Sequence, residues 1–377
     1  MKSQTTTLLF SMAMLALTGL ASAQISTAYI AKADVGTITS FQNRLDTSAL
    51  NGNSTLKLLL THNLNPDGNA GTKVDHVLGF RFQSLKWYII NQDQSAFTPE
   101  TYYNVFIPGD DAYSWVHTSD NSNNVSNYTI INDGRINNDP NAKVFVSNVL
   151  ANYNDYVNGV FYSAASKKWC IYNQDASTME ENIDFNIITP KGNTGYAAVV
   201  HTADGNTITN HFTELDHPDL NGNPNAIVFI TQVWNPAGAQ TGVYNNHNVG
   251  VEYGANNKWR VYNEDLAGMP MGASFNVMIF RNHNISLEEN QLVNSNVKVY
   301  PNPATSASEV VLEFDQQLLG PLSFEVYSLD GRVLLSQSLV KNTPVMKYSL
   351  ENKLPRGSYL LKVENQGSAG VKKLIIQ

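Results

Sequence analysis

Apolar and polar residues alternate in the same order three times along this chain. The clearest example recurs at residues 86–93, 168–175 and 258–265. Each copy begins Lys-Trp and ends Asn-Gln-Asp or Asn-Glu-Asp. Because neighbouring side chains on a strand point to opposite faces, Trp87, Trp169 and Trp259 share a face with the aliphatic residue two positions later. We expect that face to form the core.

Further strands flank this segment in every copy. A glycine opens a strand eight to ten residues before each Trp, at Gly79, Gly159 and Gly250. The segments between strands are rich in Asn, Asp, Gly and Pro, which is typical of turns. No stretch shows sustained helical spacing of apolar residues. The pattern predicts an all-β body of three tandem repeats of about 84 residues, each a small antiparallel β module of five or six strands.

The face opposite each Trp is expected to point outward, and its residues differ between copies. These positions are Tyr88, Cys170 and Arg260, then Ile90, Tyr172 and Tyr262, with Arg81, Phe161 and Glu252 on the glycine-led strand. Aromatic side chains supply large contact areas at low entropic cost. The resulting candidate ligand-binding residues are Tyr88, Phe161, Tyr172, Arg260, Tyr262 and Trp234.

Residues 298–377 follow a different pattern, with spaced turn and strand motifs. Their landmarks, in order, are Pro301, Asn302, Pro303, Asp330, Gly331, Arg332, Gly357 and Tyr359. The Asp-Gly pair lies between two alternating runs and predicts a hairpin turn. The ordered motifs resemble the C-terminal sorting domain of type IX secretion cargo from Bacteroidota. The resemblance implies an Ig-like β-sandwich, the type IX secretion machinery as a partner, and a secreted or outer-surface location.

The amino terminus is typical of a secretory signal peptide. Lys2 precedes an apolar run at residues 8–20, and the small residues at 21–23 precede Gln24. This run is too short for a membrane-spanning helix, and no later stretch reaches the roughly 18 apolar residues that such a helix needs. We therefore expect cleavage after Ala23 and passage through the periplasm without a transmembrane segment.

Composition limits the chemistry further. Cys170 is the only cysteine, so the chain can form neither an internal disulfide nor a thiolate metal cluster. Removing residues 1–23, which carry only Lys2, changes the formal net charge from -8 to -9. Residues 295–377 hold nine Lys or Arg against seven Asp or Glu, which leaves -11 on residues 24–294. An acidic body of this kind is a poor ligand for nucleic acid.

Candidate catalytic and metal sites are weak, so we expect no enzymatic activity, no metal site and no cofactor. The Asn-Gln-Asp or Asn-Glu-Asp tripeptide at the end of each Trp strand could bind a hard cation. Asn and Asp also close turns by bonding to the backbone, and we favour this interpretation. Glu264 stands where the other copies have Gln92 and Gln174, and we interpret it as drift at an exposed site. His117 and His201 match between copies, and hydrogen bonding at a repeat boundary suits them better than zinc binding, because no further ligands recur.

These patterns predict the organisation and narrow the function. The predicted divisions are a signal peptide at 1–23, repeats at 24–118, 119–202 and 203–286, a linker at 287–297 and the sorting domain at 298–377. The favoured function is a non-catalytic binding or adhesion array for extracellular glycan or protein ligands, in which multiplicity raises weak affinity. The alternatives are a structural spacer or coat protein without a dedicated ligand, and an extracellular polymer-degrading enzyme.

Overall fold

A computed structural model describes most of the chain. The described residues are 26–66, 71–192, 196–280, 297–305, 309–314, 320–328, 333–341, 345–349, 354–365 and 368–377. They divide into a body before residue 286 and a tail after residue 285. The predicted signal peptide and most of the predicted linker lie outside the described residues.

The body consists of three equivalent sets of seven strands. The first set is β1 Thr27–Ala33, β2 Ile38–Thr39, β3 Gln42–Leu45, β4 Leu59–Asn63, β5 Leu78–Gln83, β6 Lys86–Asn91 and β7 Thr101–Ile107. The second is β8 Ala112–Thr118, β9 Asn124–Val125, β10 Tyr128–Ile130, β11 Phe145–Val149, β12 Asn158–Ser163, β13 Lys168–Asn173 and β14 Asp184–Pro190. The third is β15 Tyr196–Thr202, β16 Ile208–Thr209, β17 Phe212–Glu214, β18 Ile227–Gln232, β19 Val249–Tyr253, β20 Trp259–Asn263 and β21 Ser274–Phe280.

The prediction of an all-β, three-repeat body is confirmed, with more strands than expected. Each repeat has seven strands, not five or six, because β2, β9 and β16 are two residues long and too short to show alternation. The strand β8 lies within the predicted first repeat at 24–118, yet it pairs along its whole length with β14 of the second set. The only helical element among the described residues is a 3-10 turn at Pro236–Gly238.

Each repeat folds into a three-stranded and a four-stranded antiparallel unit. In the first repeat the orders are β1-β7-β4 and β2-β3-β6-β5. The second and third repeats repeat this arrangement as β8-β14-β11 with β9-β10-β13-β12, and β15-β21-β18 with β16-β17-β20-β19. Each repeat has its own apolar core, which contains its repeated Trp at 2% exposure or less. The expectation that these Trp side chains are core residues is therefore confirmed.

Parallel pairing joins the repeats into a closed ring, a feature absent from the predicted set of antiparallel modules. β5 of the first repeat pairs with β11 of the second, and β19 of the third pairs with β4 of the first. A single parallel bridge between Val160 and Val233 completes the cycle from the second repeat to the third. The inner strands β4, β11 and β18 thus each extend the four-stranded unit of the preceding repeat.

Side chains of the three inner strands close this ring at its centre. The backbone N–H of Leu60 donates to Ser147 Oγ at 3.0 Å, that of Val146 to Thr231 Oγ1 at 3.2 Å, and that of Ile230 to Thr61 Oγ1 at 3.1 Å. We call these three bonds, which each link two different repeats, the hydroxyl ring. A buried backbone N–H needs such an acceptor because water cannot reach it.

A second cycle of hydrogen bonds uses one buried Asn from each repeat. The Nδ2 atoms of these residues donate to backbone carbonyls of another repeat: Asn104 to Val228 at 2.8 Å, Asn186 to Leu58 at 3.0 Å and Asn276 to Val144 at 2.9 Å. Apolar side chains from all three repeats form a fourth cluster there, including Leu59, Phe145 and Phe229. Apolar packing and hydrogen bonds between repeats therefore both stabilise the centre of the ring.

The tail is a separate antiparallel β unit. Its strands are β22 Val297–Tyr300, β23 Glu309–Phe314, β24 Gly320–Ser328, β25 Val333–Lys341, β26 Val345–Ser349, β27 Gly357–Asn365 and β28 Ser368–Ile376. They form the sheets β22-β23-β26 and β25-β24-β27-β28. Two antiparallel sheets agree with the small sandwich that the sequence predicts.

The sorting-motif residues occupy defined places in this tail. Pro301 and Pro303 follow the first strand, and Asn302 Oδ1 accepts a hydrogen bond from the Ile375 N–H at 2.9 Å. Gly357 opens β27, where the Tyr359 hydroxyl donates to the Pro355 carbonyl. Residues 330–332, including the predicted Asp-Gly turn, lie outside the described residues, although the strands on either side of it pair as a hairpin does.

The buried Asn cycle should matter to two repeats at once. Replacing Asn276 by Ala removes the donor to Val144, and we expect a loss of about 1–3 kcal/mol in unfolding free energy, because the buried carbonyl loses its partner. Urea unfolding measures the loss, and amide exchange should accelerate in β11 as well as in β21. The exposed Asn225→Ala is the control and should change stability by less than about 0.5 kcal/mol. Exchange confined to β21 would contradict the closed ring.

Candidate functional site

The junctions between repeats hold polar residues that all three repeats share. The first junction joins repeats one and two, the second joins two and three, and the third joins three and one. At each, a side-chain oxygen near the end of the Trp strand accepts a backbone N–H from a loop of the next repeat. The bonds are Asn154 N–H to Gln92 Oε1 at 3.1 Å, Asn245 N–H to Gln174 Oε1 at 3.1 Å and Val74 N–H to Glu264 Oε2 at 2.9 Å.

This finding corrects the interpretation of Glu264 as an exposed drifting residue. Its side chain is 1% exposed, because the loop of the first repeat covers it. The sequence carried a usable signal, since the middle position of the tripeptide bears a side-chain oxygen in every copy. That constancy is what an inter-repeat hydrogen bond requires.

The repeated glycines make room for these side chains. A Cβ atom on Gly79 would lie 2.2 Å from Gln92 Nε2, and one on Gly250 would lie 2.4 Å from Glu264 Oε1. At Gly159 the nearest groups are the Tyr172 ring at 2.8 Å and Gln174 Nε2 at 2.9 Å. A Cβ atom at these positions would displace the end of the Gln or Glu side chain from its place above the strand, so the glycine and the Gln or Glu act together.

The Asn and the Asp of the tripeptide close turns, which is the interpretation that we favoured over a cation site. Asn91 Nδ2 donates to the Ser95 carbonyl at 3.2 Å, while Asp93 Oδ1 accepts the Ser95 N–H at 3.0 Å. The second and third copies repeat both bonds at Ser177 and Ala267. Within the described residues, no group of three or more His, Cys, Asp or Glu side chains is arranged to hold a metal ion.

The third junction differs from the others because its acceptor is a carboxylate. His62 Nδ1 lies 2.5 Å from Glu264 Oε1, and the Tyr262 hydroxyl lies 2.9 Å from the same oxygen and 3.0 Å from His62 Nδ1. Burial, followed by the charge of Glu264, raises the pKa of Tyr262 well above its usual value. These three side chains form a sealed polar cluster that joins repeat three to repeat one.

Several residues predicted to face outward are buried in the ring. Tyr262 and Tyr172 are 0% and 2% exposed, and Ile90 and Cys170 are likewise buried. At Tyr172 and Tyr262 a loop of the next repeat covers this face, with Tyr244 against the first ring and Lys73 over the second. Alternation predicts two faces correctly, but it cannot show that a neighbouring repeat covers the second.

The two matching histidines belong to the repeat frame. His117 Nε2 lies 2.8 Å from Thr129 Oγ1, and His201 Nε2 lies 2.7 Å from Thr213 Oγ1. Burial lowers the pKa of His117 to about 4, against a smaller opposite effect of nearby Asp120 and Asp184, and burial also lowers the pKa of His201. Both are hydrogen-bonded, as predicted, although each bond lies within its own repeat.

Three of the six candidate ligand-binding residues come together at the second junction. Phe161, Tyr172 and Trp234 join Tyr128 and Tyr244 there, and we call these five residues the aromatic cluster. Ring centroids lie 5.8 Å apart for Phe161 and Tyr172, 6.3 Å for Phe161 and Trp234, and 5.6 Å for Tyr172 and Tyr244. Tyr244 is 49% exposed, which opens the cluster to solvent.

The other three candidates lie elsewhere. Tyr88 is half-buried at the first junction, where it pairs with Arg81 across β5 and β6. Arg260 lies at the third junction, 3.3 Å from Glu214 and 3.6 Å from Glu252. Tyr262 is part of the sealed polar cluster. The six predicted residues therefore divide between three junctions.

A small cavity lies where the three inner strands meet. Its volume is about 130 Å³, and matching residues of all three repeats line it, including Thr61, Ser147 and Thr231 of the hydroxyl ring. Ligand pockets for small molecules usually measure about 300–1,000 Å³. This cavity is too small for such a ligand.

Two family models match this chain. The first, described as a domain of unknown function (DUF7452), matches residues 19–107, 79–189 and 159–279, and the chain belongs to this family. The second and third matches begin at Gly79 and Gly159, so each spans a junction. The second model, described as a secretion system C-terminal sorting domain, matches residues 298–377 and confirms the resemblance seen in the sequence. The chain is therefore cargo with a type IX sorting tail, which implies export to the cell surface or secretion.

Other likenesses are weak. PorZ, described as a bacterial surface component of the type IX secretion system of Porphyromonas gingivalis, is 19% identical over 36% of this chain, with a TM-score of 0.19. That match spans only 17% of the PorZ chain. A BSP domain of a biofilm associated protein is 9% identical over 93% of this chain and 81% of its own, also with a TM-score of 0.19. Scores this low support no argument. No curated protein matches significantly, and no helix among the described residues could cross a membrane.

Acidification should weaken the body partly through His117. Its pKa is lowered from 6.5 to about 4 on folding, so between these values the unfolded chain binds more protons. The contribution of neutral His117 to the unfolding free energy is therefore fully present above about pH 6.5. It falls as the pH drops towards 4, by at most roughly 3 kcal/mol. His117→Gln should flatten the fall in melting temperature over this range. An unchanged pH profile would contradict the buried neutral imidazole.

The acceptor at position 264 should matter more than its charge. Glu264→Ala removes three hydrogen-bonding contacts and leaves the Val74 N–H without an acceptor and His62 with only the Tyr262 hydroxyl, so we expect a loss of about 3–5 kcal/mol in unfolding free energy. Glu264→Gln, which copies the other two repeats, should cost less than half of that. Chemical denaturation measures both, with the exposed Glu181→Ala as control. Equal losses for the two variants would show that the charge, not the acceptor, is what the junction needs.

Proposed function

We propose that the body is a non-catalytic binding component that contacts extracellular glycan or protein ligands through the outer surfaces of its junctions. The observation that carries this proposal is the contrast between a repeated frame and unlike surfaces. The hydroxyl ring, the buried Asn cycle and the glycine with its Gln or Glu recur at all three junctions. The outward side chains around them do not recur.

The three junctions offer different chemistry at equivalent positions. The second carries the aromatic cluster, whereas the third carries charged groups, with Arg260 beside Glu214 and Glu252. Lys73 also lies there, 5.0 Å from the centre of the Tyr262 ring. A ring of this kind suits three distinct contact surfaces better than an array of identical sites. Avidity would then come from several different contacts made by one rigid body.

A binding role is favoured over catalysis because the residues best suited to acid–base chemistry are enclosed. His62 and Glu264 are 2% and 1% exposed, and their hydrogen bonds hold two repeats together. A general acid or base must reach its substrate directly or through one water. The pair borders only the cavity of about 130 Å³ at the centre of the ring, which supports a structural role. The differences between the outer surfaces of the junctions also favour binding over a spacer, because a spacer does not need unlike surfaces.

Export would deliver this body to its ligands. We propose that residues 1–23 direct the chain to the periplasm, and that the sorting tail then engages the type IX machinery to cross the outer membrane. The motif residues from Pro301 to Tyr359 are the proposed contacts. Adhesion at the cell surface, or release beyond it, would follow from the same route.

The binding proposal is tested with the secreted protein and with bacterial cells. Fluorescently labelled protein should bind saturably to cells or to immobilised extracellular polysaccharide, and unlabelled protein should compete. A ring-breaking variant such as Asn276→Ala with Glu264→Ala serves as the control, because it lacks two of the bonds that assemble the junctions. We expect at least a tenfold loss of binding for that variant, about 1.4 kcal/mol. Absence of saturable binding by the intact protein would favour the structural coat or spacer.

A further inference from the structure

We propose that the aromatic cluster at the second junction is a subsite for a neutral, β-linked glucan chain. This inference rests on the proposed binding function and names the ligand class for one of the three junctions. Neither repeat contains the subsite alone. Tyr128, Phe161 and Tyr172 belong to the second repeat, while Trp234 and Tyr244 belong to the third.

The cluster is assembled by the same backbone contacts that close the ring. The Trp234 N–H donates to the Val160 carbonyl at 2.9 Å, which holds the indole beside Phe161. The Asn245 N–H donates to Gln174 Oε1 at 3.1 Å, which holds the preceding Tyr244 beside Tyr172. Trp234 and Tyr244 are themselves 6.1 Å apart between ring centroids. The rings are therefore positioned before any ligand arrives, which lowers the entropic cost of binding.

The repeat frame does not require aromatic residues at these positions. The same backbone bond places Leu150 at the first junction and Leu64 at the third, where the second junction has Trp234. The positions that match the whole cluster are Gln42, Arg81, Ile90, Leu150 and Tyr153 at the first junction, and Phe212, Glu252, Tyr262, Leu64 and Lys73 at the third. All five positions are aromatic at the second junction, against one at the first and two at the third, so the fold does not require the full aromatic set.

The chemistry of the cluster fits a neutral sugar. None of its five members is charged, whereas the matching positions include Arg81 at the first junction and Glu252 and Lys73 at the third. A β-linked glucose unit carries its hydroxyl groups at the rim and axial C–H bonds on both faces. Aromatic rings bind such apolar faces, and the tyrosine hydroxyl can reach a sugar hydroxyl at the rim.

The size of the exposed surface favours a glycan over a protein partner. One of the five rings is buried and three are half-buried, so Tyr244 provides most of the accessible aromatic surface. A stable protein interface needs about 800 Å² from each partner. The accessible part of five rings that largely cover one another is smaller than that and suits a few sugar rings.

Titration of the complete secreted protein with cellohexaose and laminarihexaose tests the proposal. Calorimetry gives the dissociation constant, and tryptophan fluorescence should change because Trp234 lies in the cluster. The variants Trp234→Leu and Tyr244→Lys take the residues of the other repeats, Leu64 and Lys73, so the frame should tolerate both. We expect each to weaken binding by about tenfold or more, with unchanged melting temperature.

Two matched controls separate the cluster from tyrosine loss in general. Tyr153→Lys makes the same change at the equivalent position of the first junction, and Tyr113→Ala removes another exposed ring, 39% accessible, from the second repeat. Both should keep the affinity of the unmodified protein. A loss of binding in the controls as large as in Trp234→Leu would overturn the assignment to this junction.

The remaining outcomes distinguish this inference from the proposed function. If neither hexasaccharide binds, or if the Trp234→Leu, Tyr244→Lys double variant still binds them, the glucan subsite is wrong. Saturable binding to cells would in that case leave the proposed function intact. If the double variant loses cell binding while the hexasaccharides never bind, the cluster is a protein-docking surface. If the intact protein binds neither sugars nor cells, both proposals fail.

Discussion

The body depends on hydrogen bonds that run between inner strands of different repeats. At the centre of the ring a Ser or Thr hydroxyl accepts the backbone N–H of the neighbouring inner strand, where a sheet would use a carbonyl. An unpaired N–H at this depth would cost about 1–3 kcal/mol, so each repeat needs the next to complete its own core. The repeats are therefore parts of one closed structure and not independent modules on a string.

This mutual dependence explains which residues stay constant. Three kinds of residue serve contacts between repeats. They are the glycine that opens a strand, the Gln or Glu that crosses above it, and the Asn that donates to a carbonyl of another repeat. Each of these contacts is lost if the ring opens. The sealed cluster of His62, Tyr262 and Glu264 is a variant of the same joint, with a carboxylate where the other two junctions have an amide.

The contacts between repeats also determine which positions are free to differ. Because the frame is fixed by backbone bonds and a few buried side chains, the residues outside it can change without loss of the fold. One junction has become aromatic and another charged, while the sorting tail directs the whole body out of the cell. The proposed binding role rests on this difference between the surfaces of one frame.

The class of fold, the number of repeats, the buried Trp side chains and the sorting tail could all be predicted from the sequence, because they follow from local alternation, periodicity and motif order. The sequence also brought Phe161, Tyr172 and Trp234 into one candidate set. The folded chain shows in addition that these three meet at one junction while Arg260 and Tyr262 lie at another, and that Tyr262 and Glu264 are buried. Alternation reports which side chains share a face of a strand, but whether a neighbouring repeat covers that face depends on contacts between residues as far apart as His62 and Glu264. Ring closure therefore had to be seen in the structure, since no local pattern encodes it.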